Sequence, residues 1–347
     1  MATPELNERE RRVLEAVIQT YIETAEPAGS RTISRRFGLG VSPATIRNTM
    51  SDLEEKGFLF QAHTSGGRIP TERAYRAYVD ALTDVAPSAR EAAALHDTIT
   101  AGDHGTVEAI LRRAAQTLGV LTQELGVALG PRFDGAVLTR IELVKLSTDR
   151  LLMALTLAAG AVRTIFVEVD GPLADRAVQA VERVLNERLS GLALRDIRAT
   201  LGARLRDALP SGEHDKLLNI FIEEGDQLFD RAVRADEAEV VLGQASVLAD
   251  HPEFASGDGL KRVLALTETR QHLADELRGR TAGPGLTITI GAEHGEPVLQ
   301  PFTVVTSTYT AGPVSGVIGV IGPTRMPYDK VIALVRHTSQ LVSELIQ

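Results

Sequence analysis

Side chains that can hydrogen-bond with DNA bases cluster at the beginning of a helix predicted over 43–56. Thr45, Arg47 and Asn48 lie close together there. Arg and Asn are the residue types that make bidentate hydrogen bonds with guanine and adenine in the major groove. Eight basic and four acidic residues lie within 31–76, so this segment also carries local positive charge. The sequence therefore predicts a surface that reads DNA.

Candidates for contact with the DNA phosphates flank this helix on both sides. Hydroxyl and guanidinium donors to phosphate fix the position of a protein on the duplex without reading its sequence. A solvated helix face is the alternative for Arg47 and Asn48, and simple solubility is the alternative for the pair Arg35 and Arg36. The predicted phosphate contacts are Ser30, Arg31, Arg35 and Arg68. His63, Thr64 and Ser65, like Arg68, are predicted to contact either phosphate or the minor groove, and Ser42 is a further predicted DNA-binding residue.

Two short helices joined by a tight turn must position these side chains. Ser30 is predicted to cap the first helix, and Gly38 to end it in the left-handed conformation that glycine tolerates. Ser42 is predicted to cap the second helix, with Pro43 at its first position. The inward face of the second helix is predicted to be Ile46, Met50 and Leu53, and the other faces Thr45, Arg47, Asn48, Thr49 and Ser51.

A preceding helix and a following hairpin complete this region. Apolar periodicity predicts the preceding helix over about 8–24, with an N-terminal capping box. Strand-like residues at 58–60, a glycine turn and a return at 68–70 predict a hairpin, and Thr71 caps a last helix. Two helices followed by a hairpin indicate a winged helix-turn-helix. Two core helices of an ordinary α domain are the alternative.

Catalytic and metal-binding patterns are not recognised in this sequence. It has no Cys, and its eight His include no HExxH pair. The segment 317–322 lacks the spacing of a nucleotide-binding glycine loop and is predicted to be a strand in which Gly allows close backbone approach. The segment 290–296 is predicted to be a solvated turn rather than a metal site. We therefore expect no enzyme activity, no cofactor and no metal.

The composition of the whole chain limits its size and class. Its 347 residues are 44% hydrophobic, which suggests two or three domains. The net charge of −9 lies outside the first 82 residues, where eleven basic and eleven acidic residues balance. The N-terminus has no secretory pattern, and no apolar run reaches the roughly 18 residues that span a bilayer. The sequence predicts a soluble, cytoplasmic protein that does not enter membranes.

Patterns after residue 82 alternate between strands and helices. A linker or connecting helix over 83–104 is followed by a helix over about 107–125. A mostly helical block extends from 173 to about 236, a further helix from 260 to about 277, and a last helix from about 329 to 346. Three strands are predicted before the helical block and three before the last helix: 136–146, 151–157, 162–169, 286–290, 302–308 and 314–321.

The segments 29–80 and 315–330 resemble the two signature motifs of the HrcA family of heat-inducible transcription repressors, and the resemblance extends over nearly the whole chain. It implies an α+β multidomain protein: an N-terminal winged helix-turn-helix, then a GAF-like α/β domain interrupted by a mostly helical inserted dimerisation domain. The expected boundaries are 1–85 for the winged helix, 86–170 and 283–347 for the two parts of the GAF-like domain, and 171–282 for the insert.

The resemblance also implies partners. A homodimer would bind double-stranded DNA at an inverted-repeat operator of the CIRCE type, upstream of chaperone operons. The GroEL chaperonin would maintain the active repressor, and heating would relieve repression. A winged-helix regulator whose GAF-like domain binds a small molecule is the alternative, and an enzyme with structural N-terminal helices is a second one. Arg325 is a candidate for contact with another domain.

Overall fold

The computed structural model describes part of the chain, and its contacts divide into two units. One unit comprises Met1–Ala128, Val241–Thr308 and Ile318–Leu341, and the other Leu129–Val240, Tyr309–Val317 and Val342–Gln347. The described residues are 6–61, 67–83, 85–101, 107–131, 135–158, 162–169, 174–206, 215–223, 225, 227–229, 240–283, 285–311 and 314–346.

The N-terminal region forms the helices and hairpin that the sequence predicts. Asn7 and Glu10 cap the first helix reciprocally, Ser42 Oγ accepts from Thr45 N, and Thr71 caps the last helix. Gly38 ends the second helix with φ +55°. The elements are α1 (Glu8–Thr24), α2 (Ser30–Phe37), α3 (Pro43–Glu55), β1 (Leu59–Phe60), β2 (Ile69–Pro70) and α4 (Glu72–Ala81), with β1 and β2 antiparallel.

Two details of this region differ from the sequence prediction. Gly29, not Ser30, is the N-cap of α2: its carbonyl accepts from Ile33 N at 3.0 Å, and Ser30 is the first helical residue. Thr49 is buried, not surface-exposed, because it lies three residues after Ile46 on the inward face. Its hydroxyl donates to Thr45 O at 3.1 Å, which satisfies the buried polar group.

A five-stranded sheet follows, in the strand order β7 (Val241–Leu242), β3 (Leu125–Leu129), β10 (Val314–Pro323), β9 (Phe302–Ala311) and β8 (Leu286–Ile290). Phe302, Val304 and Ile318 are among its fully buried side chains. Helices precede, interrupt and follow these strands in sequence. The elements are α5 (Ala89–Thr100), α6 (Val107–Thr122), β3 (Leu125–Leu129), β7 (Val241–Leu242), α10 (Ser246–Ala249), α11 (Gly257–Glu268), α12 (Arg270–Gly279), β8 (Leu286–Ile290), β9 (Phe302–Ala311), β10 (Val314–Pro323) and α13 (Tyr328–Leu345).

The strand β3 corrects the helix predicted over 107–125. The chain leaves the helix at Gln123, whose φ is +61°, and becomes extended at Leu125. Gly126 allows β3 to lie directly under α6, since a Cβ at this position would come 1.7 Å from Ala115 O. The predicted helix over 260–277 is likewise two helices, α11 and α12, that meet at Thr269.

The other unit contains a three-stranded antiparallel sheet and helices. The sheet confirms the predicted meander: β4 (Leu138–Lys145), β5 (Arg150–Leu157) and β6 (Val162–Glu168) pair in chain order. Asn186 joins the helices to the sheet, because its side chain accepts from Ile141 N and donates to Ile141 O, both at 2.8 Å. The helices are α7 (Asp175–Leu189), α8 (Leu194–Arg206) and α9 (Asp215–Glu223).

Both units combine helices with sheets, so the predicted α+β class is confirmed. Close backbone approach at the predicted strand 317–322 is confirmed as well: a Cβ on Gly319 would lie 2.0 Å from Val305 O. In the described part of the chain, no helix has the length and apolar character to cross a membrane.

Candidate nucleic-acid interface

The beginning of α3 presents the predicted base-reading side chains to solvent. Arg47 and Asn48 are exposed, Thr45 is half-buried, and Ser42 is exposed at the cap. Ser42 Oγ lies 3.0 Å from Thr45 Oγ1 and accepts from Thr45 N at 3.1 Å. These contacts fix the backbone of the first turn of α3. The exposed side chains of Arg47 and Asn48 extend from this turn into solvent.

Contacts on the opposite side of α3 hold this helix in place. Ile46 and Leu53 are fully buried, and α3 packs against α1 and α2. Just beyond α3, Lys56 Nζ lies 2.8 Å from both carboxylate oxygens of Glu10, which is only 5% exposed. The hydrogen bond from Lys56 lowers the pKa of Glu10 below its usual value. The C-terminal end of α3 is thereby tied to the first turn of α1.

Three arginines on α2 and α3 have exposed side chains. Arg31, Arg35 and Arg47 form no ion pair with any residue that the structure describes. Arg36 differs from them, because its guanidinium pairs with Glu23 and lies 5.4 Å from the ring centre of Phe37. Cations without a partner can bind phosphate without first breaking an existing ion pair.

Arg68 lies at the base of the hairpin in a different environment. Its backbone pairs with Ala28 through two hydrogen bonds of 2.9 Å. Its Nε lies 2.8 Å from Glu54 Oε2, although this atom lacks a well-directed hydrogen bond. The side chain is 16% exposed. Arg68 is therefore an ion-paired residue that connects the hairpin to α3.

The remaining predicted contacts divide into a buried residue and a segment that is not described. The Ser30 side chain is buried, and Ser30 occupies the first position of α2. His63, Thr64 and Ser65 lie outside the described residues. The structure thus brings together Ser42, Thr45, Arg47 and Asn48 on α3, with Arg31 and Arg35 on the neighbouring helix α2.

Residues on α1 and α4 that the sequence did not single out form long-range contacts. Glu72 Oε2 accepts from Ala292 N at 3.0 Å, and Arg76 pairs with Glu293. Arg325, a candidate for contact with another domain, donates from Nη1 to Ile22 O at 2.6 Å, and both residues belong to the same contact unit. No local pattern predicts these partners, because they lie more than 200 residues apart in sequence.

Comparisons with known proteins give a consistent result. Residues 108–332 match the family model described as the HrcA protein C terminal domain. A relative from Chlorobium limicola, named heat-inducible transcription repressor HrcA, is 36% identical over 99% of this chain and 98% of its own length. A relative of the same name from Geobacter sulfurreducens is also 36% identical, over 99% of both chains.

One solved structure shares the fold. It is titled as the crystal structure of a hypothetical protein at 2.2 Å resolution. It is 22% identical, covers 99% of each chain and has a TM-score of 0.61. The family model covers more than half of the chain, and the relatives match nearly all of it. The chain therefore belongs to the HrcA family, as the motifs at its two ends predicted.

Proposed function

We propose that this chain represses transcription by binding double-stranded DNA through a winged helix-turn-helix over 8–81. In this arrangement α3 enters the major groove, α2 lies across the backbone and the β1–β2 hairpin is the wing. The observation that carries the proposal is the exposed start of α3, where Arg47 and Asn48 lie opposite a fully buried apolar face. The names of the relatives, heat-inducible transcription repressors, support the same function.

The proposed contacts follow from the environment of each side chain. Thr45, Arg47 and Asn48 would contact base edges, and Arg31, Arg35 and Ser42 would contact phosphates. Ser30 would act through its backbone N–H at the start of α2, because its side chain is buried. Arg68 would exchange Glu54 for a phosphate oxygen. His63, Thr64 and Ser65 remain sequence-based candidates for the tip of the wing.

A homodimer is proposed because a row of apolar side chains on one face of the three-stranded sheet is partly exposed. Val144, Leu152 and Phe166 are direct neighbours across β4, β5 and β6. Val144 is 47% exposed and Phe166 is 56% exposed. A second copy that covers this row would remove it from water. The two-fold symmetry of such a dimer implies an inverted-repeat operator.

The dimer proposal extends the inserted domain upstream of the boundary predicted at 171. Strands β4, β5 and β6 belong to the same contact unit as α7, α8 and α9. Their buried side chains form one hydrophobic core, from Leu138 through Leu155 to Leu205 and Phe229. We propose that this unit is the dimerisation insert. The five-stranded sheet and its helices would then form the GAF-like domain.

Regulation is proposed from family membership, together with one argument from the topology of the chain. The operator would be of the CIRCE type, the regulated genes would be chaperone operons, and the GroEL chaperonin would maintain the active repressor. A chain whose sheet pairs distant segments folds slowly and exposes apolar strands during folding, which makes dependence on a chaperonin physically reasonable. Heating would divert chaperonin to other unfolded proteins, and repression would be lost.

A gel-shift titration on a CIRCE-type inverted repeat tests the proposal. We expect the full-length protein to retard this duplex at moderate salt, and to retard a scrambled duplex of equal length much less. After heating, recovery of binding should require GroEL and ATP. Equal affinity for both duplexes would contradict sequence-specific repression, whereas recovery without chaperonin would contradict only the proposed regulation.

A further inference from the structure

A cleft of about 420 Å³ lies between the first two turns of α1 and the turn that joins α2 to α3, all within the first contact unit. Arg9 and Arg12 line it on the α1 side, and Leu39 and Val41 line it on the side of the turn. Val41 directly precedes Ser42, the exposed residue that caps α3. The cleft therefore adjoins the beginning of the proposed recognition helix.

The two arginines of the cleft lie on one face of α1. Arg9 and Arg12 are three residues apart, a spacing that places side chains next to each other on a helix surface. Both side chains are exposed, and neither forms an ion pair with any residue that the structure describes. A guanidinium in this state can donate to a phosphate oxygen without first giving up a carboxylate partner.

Positive charge exceeds negative charge among the described residues that line the cleft. Glu8 is the one acidic side chain in this lining. Glu10 is adjacent to Arg9 in sequence, but Lys56 neutralises it, with Nζ 2.8 Å from both carboxylate oxygens. The lining thus has two guanidinium groups against one carboxylate, and this balance favours an anion.

We propose that Arg9 and Arg12 bind phosphates of the operator, in addition to the contacts proposed for α2 and α3. The inference rests on the proposed DNA binding and extends its surface to α1. Entry of α3 into the major groove brings phosphates of a bordering strand close to Ser42. The cleft begins at the preceding residue, so the long side chains of its two arginines can reach the same strand. Because phosphate contacts carry no sequence information, they would add affinity without specificity.

Arg11 provides a matched control on the same helix. It is exposed, and the described residues include no ion-pair partner for it. It lines a different cleft, between α1 and α4, together with Leu14, Ile18 and Tyr78. Removal of Arg11 changes the net charge by the same amount as removal of either arginine of the first cleft. It therefore separates a local phosphate contact from a general loss of positive charge, which salt screens over about 10 Å.

Titrations of the full-length protein with the operator duplex and the scrambled duplex, at several NaCl concentrations, test the inference. Arg9→Ala and Arg12→Ala should each weaken binding to both duplexes about fivefold. Each should also reduce the slope of log affinity against log salt by about 0.9. The ratio of the two affinities should stay as in the wild-type protein. Arg11→Ala should keep the wild-type slope.

Glu8→Gln tests the same cleft through a gain of binding. Loss of this carboxylate removes its repulsion of a phosphate, so affinity for both duplexes should rise about two- to fivefold. A gain of this kind cannot arise from damage to the fold. Alanine and glutamine are both good helix formers, so all of these variants should keep α1 folded, and thermal unfolding checks that they do.

The outcomes distinguish this inference from the proposed function. Wild-type salt slopes in both Arg9→Ala and Arg12→Ala, with operator binding by the wild-type protein intact, would overturn the inference alone. An equal reduction of the slope in Arg11→Ala would also overturn it, because the effect would then be general. Equal affinity of the wild-type protein for the two duplexes would contradict only sequence-specific repression. Failure of the wild-type protein to bind either duplex would overturn both.

Discussion

Arg76 on α4 forms a bidentate ion pair with Glu293, which lies 217 residues later in the sequence, just after β8. Nε lies 2.8 Å from Oε1 and Nη2 lies 2.5 Å from Oε2, and Nη2 also donates to Ile288 O at 2.8 Å. Both side chains are roughly one-third exposed. The pair therefore attaches the last helix of the N-terminal region to the edge strand of the five-stranded sheet.

We expect Arg76 and Glu293 to be energetically coupled. A double-mutant cycle with Arg76→Ala and Glu293→Ala should give a coupling free energy of about 1 kcal/mol, near the upper end for partly exposed pairs, because the geometry is bidentate. Chemical denaturation of the four proteins measures it. The pair Glu108 and Arg112, about half exposed on α6, is the matched control and should give about 0.3 kcal/mol. Equal coupling in both cycles would contradict the special role of Arg76.

Arg47→Ala should reduce discrimination between operator and scrambled DNA. An exposed guanidinium that contacts a guanine edge contributes about 1–3 kcal/mol of specificity, whereas loss of a charge elsewhere affects both duplexes equally. Competition gel shifts with the two duplexes measure the ratio of affinities. Arg262→Ala, which removes an exposed arginine from α11, is the control and should keep the wild-type ratio. An unchanged ratio in Arg47→Ala would make this residue a phosphate contact.

Arg68→Ala should have the opposite pattern. If Arg68 exchanges Glu54 for a phosphate, its loss weakens binding to every duplex and lowers the slope of log affinity against log salt by about one unit. Titrations at several NaCl concentrations measure this slope. Arg68→Ala also leaves Glu54 without its partner, so a modest loss of stability should accompany it. If Arg68→Ala instead lost specificity and kept the wild-type salt slope, Arg68 would be the residue that reads bases and Arg47 would be the phosphate contact.

The N-terminal region could be predicted well because local interactions specify it. Ser42 and Thr71 cap their helices through hydrogen bonds that span three residues, and Gly38 ends α2 by its own conformational freedom. The errors there are also local. Gly29 takes the cap position that Ser30 was expected to fill. Thr49 is buried three residues after Ile46, a spacing that could have revealed it.

Features that depend on distant segments could not be predicted in this way. Leu125 to Leu129 continue the apolar pattern of α6, and only the neighbouring strands make them a strand. The close packing at Gly126 is a tertiary contact that periodicity does not contain. The same holds for the partners of Arg76 and for the burial of Glu124. The sequence indicates which residues are unusual, but distant contacts determine what they do.

Phe166→Ser should weaken the proposed homodimer. Phe166 is 56% exposed beside Leu152, so the substitution removes apolar area from the proposed contact while hardly affecting the core of its own unit. Loss of one large apolar contact from an interface raises the dissociation constant by about tenfold or more. Sedimentation velocity over a concentration series measures it. Val120→Ser, at an exposed position outside this sheet, is the control. A wild-type dimer in Phe166→Ser would place the interface elsewhere.

Glu124→Gln should stabilise the protein at pH 8 but not at pH 4.5. Burial raises the pKa of Glu124 to about 7, against the opposing effect of His251 and Arg325, while its usual value is 4.5. Between these values the folded state binds more protons than the unfolded state, so the wild-type protein loses stability as pH rises to about 7 and stays constant above it.

Glutamine does not titrate, and the variant avoids this loss. Its advantage should therefore grow from pH 4.5 to about 7 and then level off, at a value on the order of 1–3 kcal/mol. Loss of the carboxylate also removes the contact that raises the pKa of His251, which reduces the gain without reversing it because burial is the largest influence on Glu124. Denaturant unfolding across this pH range measures the difference, with the exposed substitution Glu268→Gln as control. A difference independent of pH would show that Glu124 titrates at its usual pKa.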